Sequence, residues 1–137
     1  MEGVREIIAE ENPDLADAVE RLPMMSHNQR NVATLMLEVP EEVEVEANDM
    51  IDLVEVHLSA PTKELLKRKD EARLVLQAHS NPKFVEDIVR DILEAVVRRY
   101  PHLPDDATVI VRSESKESIH KHNAFAERVT TLGELRA

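Results

Sequence analysis

The sequence predicts an α+β domain in which an antiparallel sheet carries its helices packed on one face. Three observations predict it. "NPKFVEDIVRDILEAVVRRY" repeats apolar side chains at i, i+3, i+4 and i+7, "HNQRNVATLMLEVP" and "ATVIVRSES" read as strands, and the overall order is helix, strand, two or three helices, then two strands.

Taken in order, "GVREIIAEENPDLADAVERL" is a helix broken near Asn12-Pro13, with Val4, Ile7 and Ile8 on one stripe and Leu15, Val19 and Leu22 continuing it. The first strand follows, apolar on both faces and ending at Pro40. After the acidic run "EEVEVEAND", Asn48 or Asp49 is placed to cap a helix carrying Met50, Ile51, Val54 and Leu58. "PTKELLKRK" begins a further helical turn capped by Thr62. "DEARLVLQAHS" is helical by the spacing of Leu74, Val75 and Ala78, though Val75 and Leu76 also permit a short strand.

The long helix is expected to start at Asn81 as N-cap with Pro82 in the first turn, and to end at Arg98 and Arg99, where the helix dipole favours cations. "ATVIVRSES" and "SIHKHNAFAERVT" are the last two strands. The chain thus divides into an N-terminal helical segment, residues 1–22, and a single module, residues 23–137.

Composition bounds the function. The 137 residues suffice for one buried core, and with aromatics at 2% that core must rest on Val, Leu and Ile. The net charge of −11 argues against nucleic-acid binding, which needs a basic footprint, but permits a local pocket for one anionic small substrate. "RNVATL" and "KELLKRK" are the local sources of positive charge. No apolar run approaches the roughly 20 residues of a membrane span, and no signal peptide is evident, so a cytoplasmic location is expected. Cysteine is absent, which excludes thiolate chemistry within this chain. The two glycines, Gly3 and Gly133, form no phosphate-binding loop.

Three polar clusters could carry chemistry. On a strand, His120 and His122 would project to one face and could offer imidazoles to one metal or ligand; a solvated polar strand is the plain alternative. Glu117 would face the other way unless a bend at Ser118 turned it. "SHNQR" places His27, Asn28, Gln29 and Arg30 in a row that is hard to explain as core, against the alternative of a solvated loop. Glu86 lies at the edge of the long helix's apolar stripe, in the first turn, where the dipole favours negative charge; it is otherwise a boundary glutamate that reaches solvent.

"SHNQR", "PTKELLKRKDEA", "NPKFVEDIVRDILEAVV" and "ESIHKHNAFAERVTTLGELR" occur in an order and spacing that resemble the C-terminal half of the archaeal-type, metal-dependent GTP cyclohydrolases, related to the bacterial type IB enzymes. The resemblance runs from about Pro23 to the end. It implies the tunnelling fold, whose antiparallel sheets with paired helices assemble into barrels, and hence a homo-oligomer. It implies hydrolytic opening of the GTP imidazole ring with loss of formate, giving a dihydroneopterin cyclic phosphate for methanopterin synthesis. The implied metal is Fe(II), with Mn(II) or Zn(II) accepted by related enzymes.

By the same resemblance His27 and His120 match metal-ligand histidines and Glu71 a carboxylate near the metal. Glu86 matches the glutamate that anchors guanine, and Glu117 a proton-transfer glutamate, with His120 also at the reacting ring. Arg30 and His122 are assigned to substrate binding, His122 in a supporting role. The family pattern also has a cysteine upstream of the first histidine and an aspartate after the last; this chain has no cysteine, and Asn123 at the second position. Three readings follow: a half-enzyme completed by a separately encoded N-terminal half, a truncated gene product, or a noncatalytic purine- or pterin-binding or assembly module.

Overall fold

A computed structural model describes residues 2–21 and 29–137. Three strands, β1 (Arg30–Leu37), β2 (Thr108–Lys116) and β3 (Ala124–Thr131), form one antiparallel sheet in the order β1-β2-β3. Helices α3 (Ala47–Glu55), α4 (Arg68–Ser80) and α5 (Val85–Arg99) lie between β1 and β2 in the chain, and a short α6 (Leu132–Arg136) follows β3. The α+β class is as the pattern predicts. Upstream, α1 (Glu2–Glu11), a 3-10 turn (Pro13–Leu15) and α2 (Ala16–Glu20) show the break expected at Asn12-Pro13.

The core sits between α5 and the sheet. Ile88, Val89, Ile92, Leu93 and Val96 are the buried stripe of α5, and Val109 and Val111 of β2 meet them from below. Leu53 of α3, Leu103 and Ala107 of the α5–β2 connection, and Leu132 of α6 close the cluster. β-Branched and aliphatic side chains carry nearly all of it, as the scarcity of aromatics requires. Burying each such side chain contributes about 1.5–3 kcal/mol relative to leaving it exposed. Only one sheet face is covered this way. On the other, Val32, Met36, Phe125 and Val129 stay exposed, and Arg112 lies 4.3 Å from the centre of the Phe125 ring.

Several boundaries depart from expectation. The long helix begins at Val85, not at Asn81, because the Asp87 carboxylate accepts the Phe84 N–H at 3.0 Å and caps the helix there. Asn81 instead turns its amide to the carbonyls of Leu58 and Ser59. Asp49 does not cap α3, which starts at Ala47; its carboxylate pairs with Arg99 of α5 at 2.7 Å. Residues 61–67 form no helix, and α4 starts at Arg68, where Asp70 and Glu71 bring negative charge to the first turn.

Helix α6 was not anticipated, although Thr131-x-x-Glu134 is a capping-box spacing that could have revealed it. Thr131 Oγ1 accepts the Glu134 N–H at 3.3 Å. Gly133 fits a close approach: a Cβ there would lie 3.0 Å from Asp105 Cβ, closer than ordinary van der Waals contact, and its N–H donates to the Asp105 carbonyl at 2.8 Å.

The short turn after α5 returns the chain directly into β2, so helix and strand run antiparallel. Fifteen residues of α5 rise about 22 Å, while nine of β2 cover about 30 Å. The far end of β2 therefore reaches the first turn of α5 and runs past it. That end carries the candidate chemistry.

Candidate functional site

Along the covered face of β2 the side chains read Val109, Val111, Ser113, Ser115, all buried. The apolar half lies under α5. The polar half is satisfied laterally by carboxamides from β1 and the residue before it. Asn31 donates from Nδ2 to Ser113 Oγ at 2.9 Å, and the Ser113 hydroxyl donates back to Asn31 Oδ1 at 3.2 Å. Gln29 repeats the step one position outward: its Nε2 donates to Ser115 Oγ and to Glu117 Oε1, both at 2.8 Å. In register Asn31 stands opposite Ser115, so its carboxamide reaches a diagonal neighbour rather than its direct partner.

Glu117 is thus the last member of a hydrogen-bonded ladder, with Ser115 Oγ a further 3.5 Å from the same carboxylate oxygen. The charge-assisted bond from Gln29 is the stronger of the two and orients the group. The chain then bends from Ser118 to His122, and Asn123 closes the loop. Its Oδ1 accepts the Glu117 N–H at 3.2 Å and its Nδ2 donates to Glu114 Oε1 at 3.1 Å. An aspartate could accept the first bond but could not donate the second, and would face Glu114 with a like charge. The Lys116 ammonium, and after it the Asn123 amide, hold the Glu114 carboxyl below its ordinary range.

This corrects the expected placement of the histidines. His120 and His122 lie in the β2–β3 loop, not on a strand, because β3 begins only at Ala124. They still come together: their rings stack at 5.9 Å between centroids with 27° between planes. The expected bend after Glu117 is present and keeps that carboxylate at the ladder's end.

The remaining candidates are more dispersed. Glu86 is exposed in the first turn of α5, at the end of the molecule where β2 finishes. Arg30 faces away from the ladder, on the uncovered side of the sheet opposite Lys116. Glu71 is exposed in the first turn of α4, and its side chain makes no hydrogen bond or ion pair among the described residues. His27 lies outside the described residues.

The imidazole pair is suitable donor chemistry for a borderline divalent metal. Yet no group of three or more His, Cys, Asp or Glu among the described residues could hold such an ion. The described residues do not form a metal centre by themselves. Sequence reasoning also passed over Asn31, Ser113 and Ser115. The signal was present in β2, where a buried period-two face changes from valine to serine.

A buried polar ladder ending in an oriented carboxylate and followed by a histidine-bearing loop holds groups able to move a proton. The profile of the family described as "Type I GTP cyclohydrolase folE2" matches residues 4–126, and the chain belongs to that family. Among curated proteins it is similar to GTP cyclohydrolase MptA of Methanothermobacter thermautotrophicus, at 54% identity over 111 residues, 81% of this chain and 35% of that protein. The MptA of Thermoplasma acidophilum is 48% identical over 136 residues, 99% of this chain and 47% of that protein. The MptA of Methanocaldococcus jannaschii is 46% identical over 123 residues. The chain spans less than half the length of these relatives. No described helix is long and apolar enough to cross a membrane.

Proposed function

We propose that this chain contributes the base-recognition and proton-transfer part of a GTP cyclohydrolase. The proposed reaction opens the imidazole ring of GTP hydrolytically, releases formate and yields 7,8-dihydroneopterin 2′,3′-cyclic phosphate for methanopterin synthesis. The observation that carries this reading is Glu117, held by Gln29 at the end of the sheet where α5 begins, in a chain of this family.

Each role follows from chemistry. Glu86 can accept two hydrogen bonds from guanine N1–H and N2–H₂, a bidentate match. Glu117, with Oε1 fixed by Gln29, moves the proton at the reacting ring, a contribution of typically 10²–10⁴-fold. His120 assists at the ring, with His122 stacked against it. Arg30 lies on the sheet face opposite Glu117 and has no role in this reading. A divalent metal, Fe(II) with Mn(II) or Zn(II) as substitutes, belongs to the proposal; His27, His120 and Glu71 are its proposed ligands, and its chemistry would be to lower the pKa of a bound water. The described residues do not assemble that centre by themselves.

Completion of the site by a further half within a homo-oligomer belongs to the proposal; a noncatalytic module that binds purine or pterin is the second reading. The test is anaerobic incubation with Fe(II) and GTP, with and without the additional half, reading pterin fluorescence after oxidation. Turnover that falls at least 100-fold in Glu117→Gln is expected, with GTP affinity lost in Glu86→Ala. Folded protein that binds GTP without turnover in either mixture would establish the second reading; protein that binds no GTP at all would overturn both.

A further inference from the structure

We propose that Asn123 is the positioning residue of the proton-transfer end: it fixes the main chain at Glu117 and closes the loop that carries His120 and His122. The inference rests on the reading of Glu117 as the proton-transfer group. The last β2–β3 pair is Ser115 with Ala124, so Asn123 stands one position beyond the ladder. There its carboxamide does what a further backbone pair would do. Oδ1 accepts the Glu117 N–H at 3.2 Å, tying together the two ends of the bend over residues 118–122. The stacked imidazoles lie within that bend.

Glu117 is thereby held at two points. Gln29 holds its carboxylate from the β1 side at 2.8 Å, and Asn123 holds its main chain from the β3 side. A side-chain bond alone leaves the backbone free to swing about that contact; two bonds to different atoms define its place. Such positioning matters because a displacement of about 1 Å can cost on the order of 100-fold in rate.

The residue type follows from the partners. The Glu117 N–H can only donate, and an ionised Glu114 can only accept. Glu114 is kept ionised by Lys116, whose Nζ lies 2.6 Å from Oε1, with Arg112 3.7 Å from Oε2. Position 123 therefore needs one acceptor and one donor on a short side chain. Asparagine supplies both, its Nδ2 donating to Glu114 Oε1 at 3.1 Å. Glu114, on the uncovered sheet face with Arg112 and Lys116, thus supports the site from behind through Asn123.

The test exchanges the bond instead of merely removing it. Asn123→Asp keeps an acceptor for Glu117 but faces Glu114 with a like charge. Adding Glu114→Gln turns that contact into an amide donating to a carboxylate. In Asn123→Asp, kcat in the pterin assay is expected to fall about 10–100-fold with KM little altered. Hydrogen exchange at the Glu117 amide should speed up about tenfold. The double variant should bring both back to within about threefold of the original protein. A kcat that does not fall in Asn123→Asp would overturn the proposal, and so would a double variant no better than the single one. Exchange that follows the expected pattern in protein that never turns GTP over would sink the catalytic reading of Glu117 and leave the positioning bond established.

Discussion

The covered face of the sheet has two ends made from the same strands and held by different forces. At the end near α6, Val109 and Val111 meet Ile92 and Val96, and stability comes from apolar area removed from water. At the other end, Ser113 and Ser115 are equally buried but meet Asn31 and Gln29, and every contact depends on geometry. The apolar end tolerates changes of shape that conserve volume. The polar end does not tolerate the loss of one partner, because a stranded buried group keeps its desolvation cost. Orientation is the property the polar end supplies, and Glu117 stands where it is needed.

The sharpest way to break this contrast is at its apolar end. Ile92→Ala should cost roughly 3–4 kcal/mol in urea unfolding, the transfer term plus the cavity left under a fully buried side chain. A loss below about 1 kcal/mol would mean that α5 and β2 are not the keystone of the core.

At the polar end, Asn31→Ala should cost about 1–3 kcal/mol by stranding the Ser113 hydroxyl. Combining it with Ser113→Ala should cost less than the sum of the two single changes, a coupling readable in a double-mutant cycle. Strict additivity would show that the pair does not act as a unit.

Gln29→Leu sharpens the comparison further, since it removes orientation while adding apolar surface. Stability should fall by about 1 kcal/mol, since buried Ser115 loses its carboxamide partner, while kcat in the pterin assay falls roughly 10–100-fold with KM little altered. A change in KM alone would assign Gln29 to substrate binding.

The smallest effect belongs to pH. Glu114, held below its ordinary 4.5 by Lys116 and Asn123, contributes stability that is present above that value and lost as pH falls through its depressed folded pKa. Lys116→Met should raise the Glu114 titration toward 4.5, visible by carboxyl NMR, and move the acid-unfolding midpoint slightly upward.

Legibility in the sequence followed physical range. The long helix was readable because its apolar stripe repeats for four turns, and the strands because their alternation is local. Its starting point was not, since Asp87 outcompeted Asn81 for reasons that involve where Asn81's amide could reach. Glu117 and Glu86 were readable as candidates, whereas the loop that holds His120 and His122 was not. A strand and a loop of seven residues share the same polar composition there, and only pairing with β2 decides where β3 begins.

The sequence by itself determined the α+β class, the family, the apolar stripe of α5 and the residue types available to the site, because period and composition are properties of neighbours along a chain. The tertiary structure alone decided that Gln29, Ser115 and Glu117 share one hydrogen-bond network, that Asn123 bridges Glu117 and Glu114, and that Arg30 turns to the opposite face. Those outcomes depend on strand register, in which a shift of one residue reverses every side chain. Register is set by the whole sheet and the helix that covers it, and no short stretch of sequence contains it.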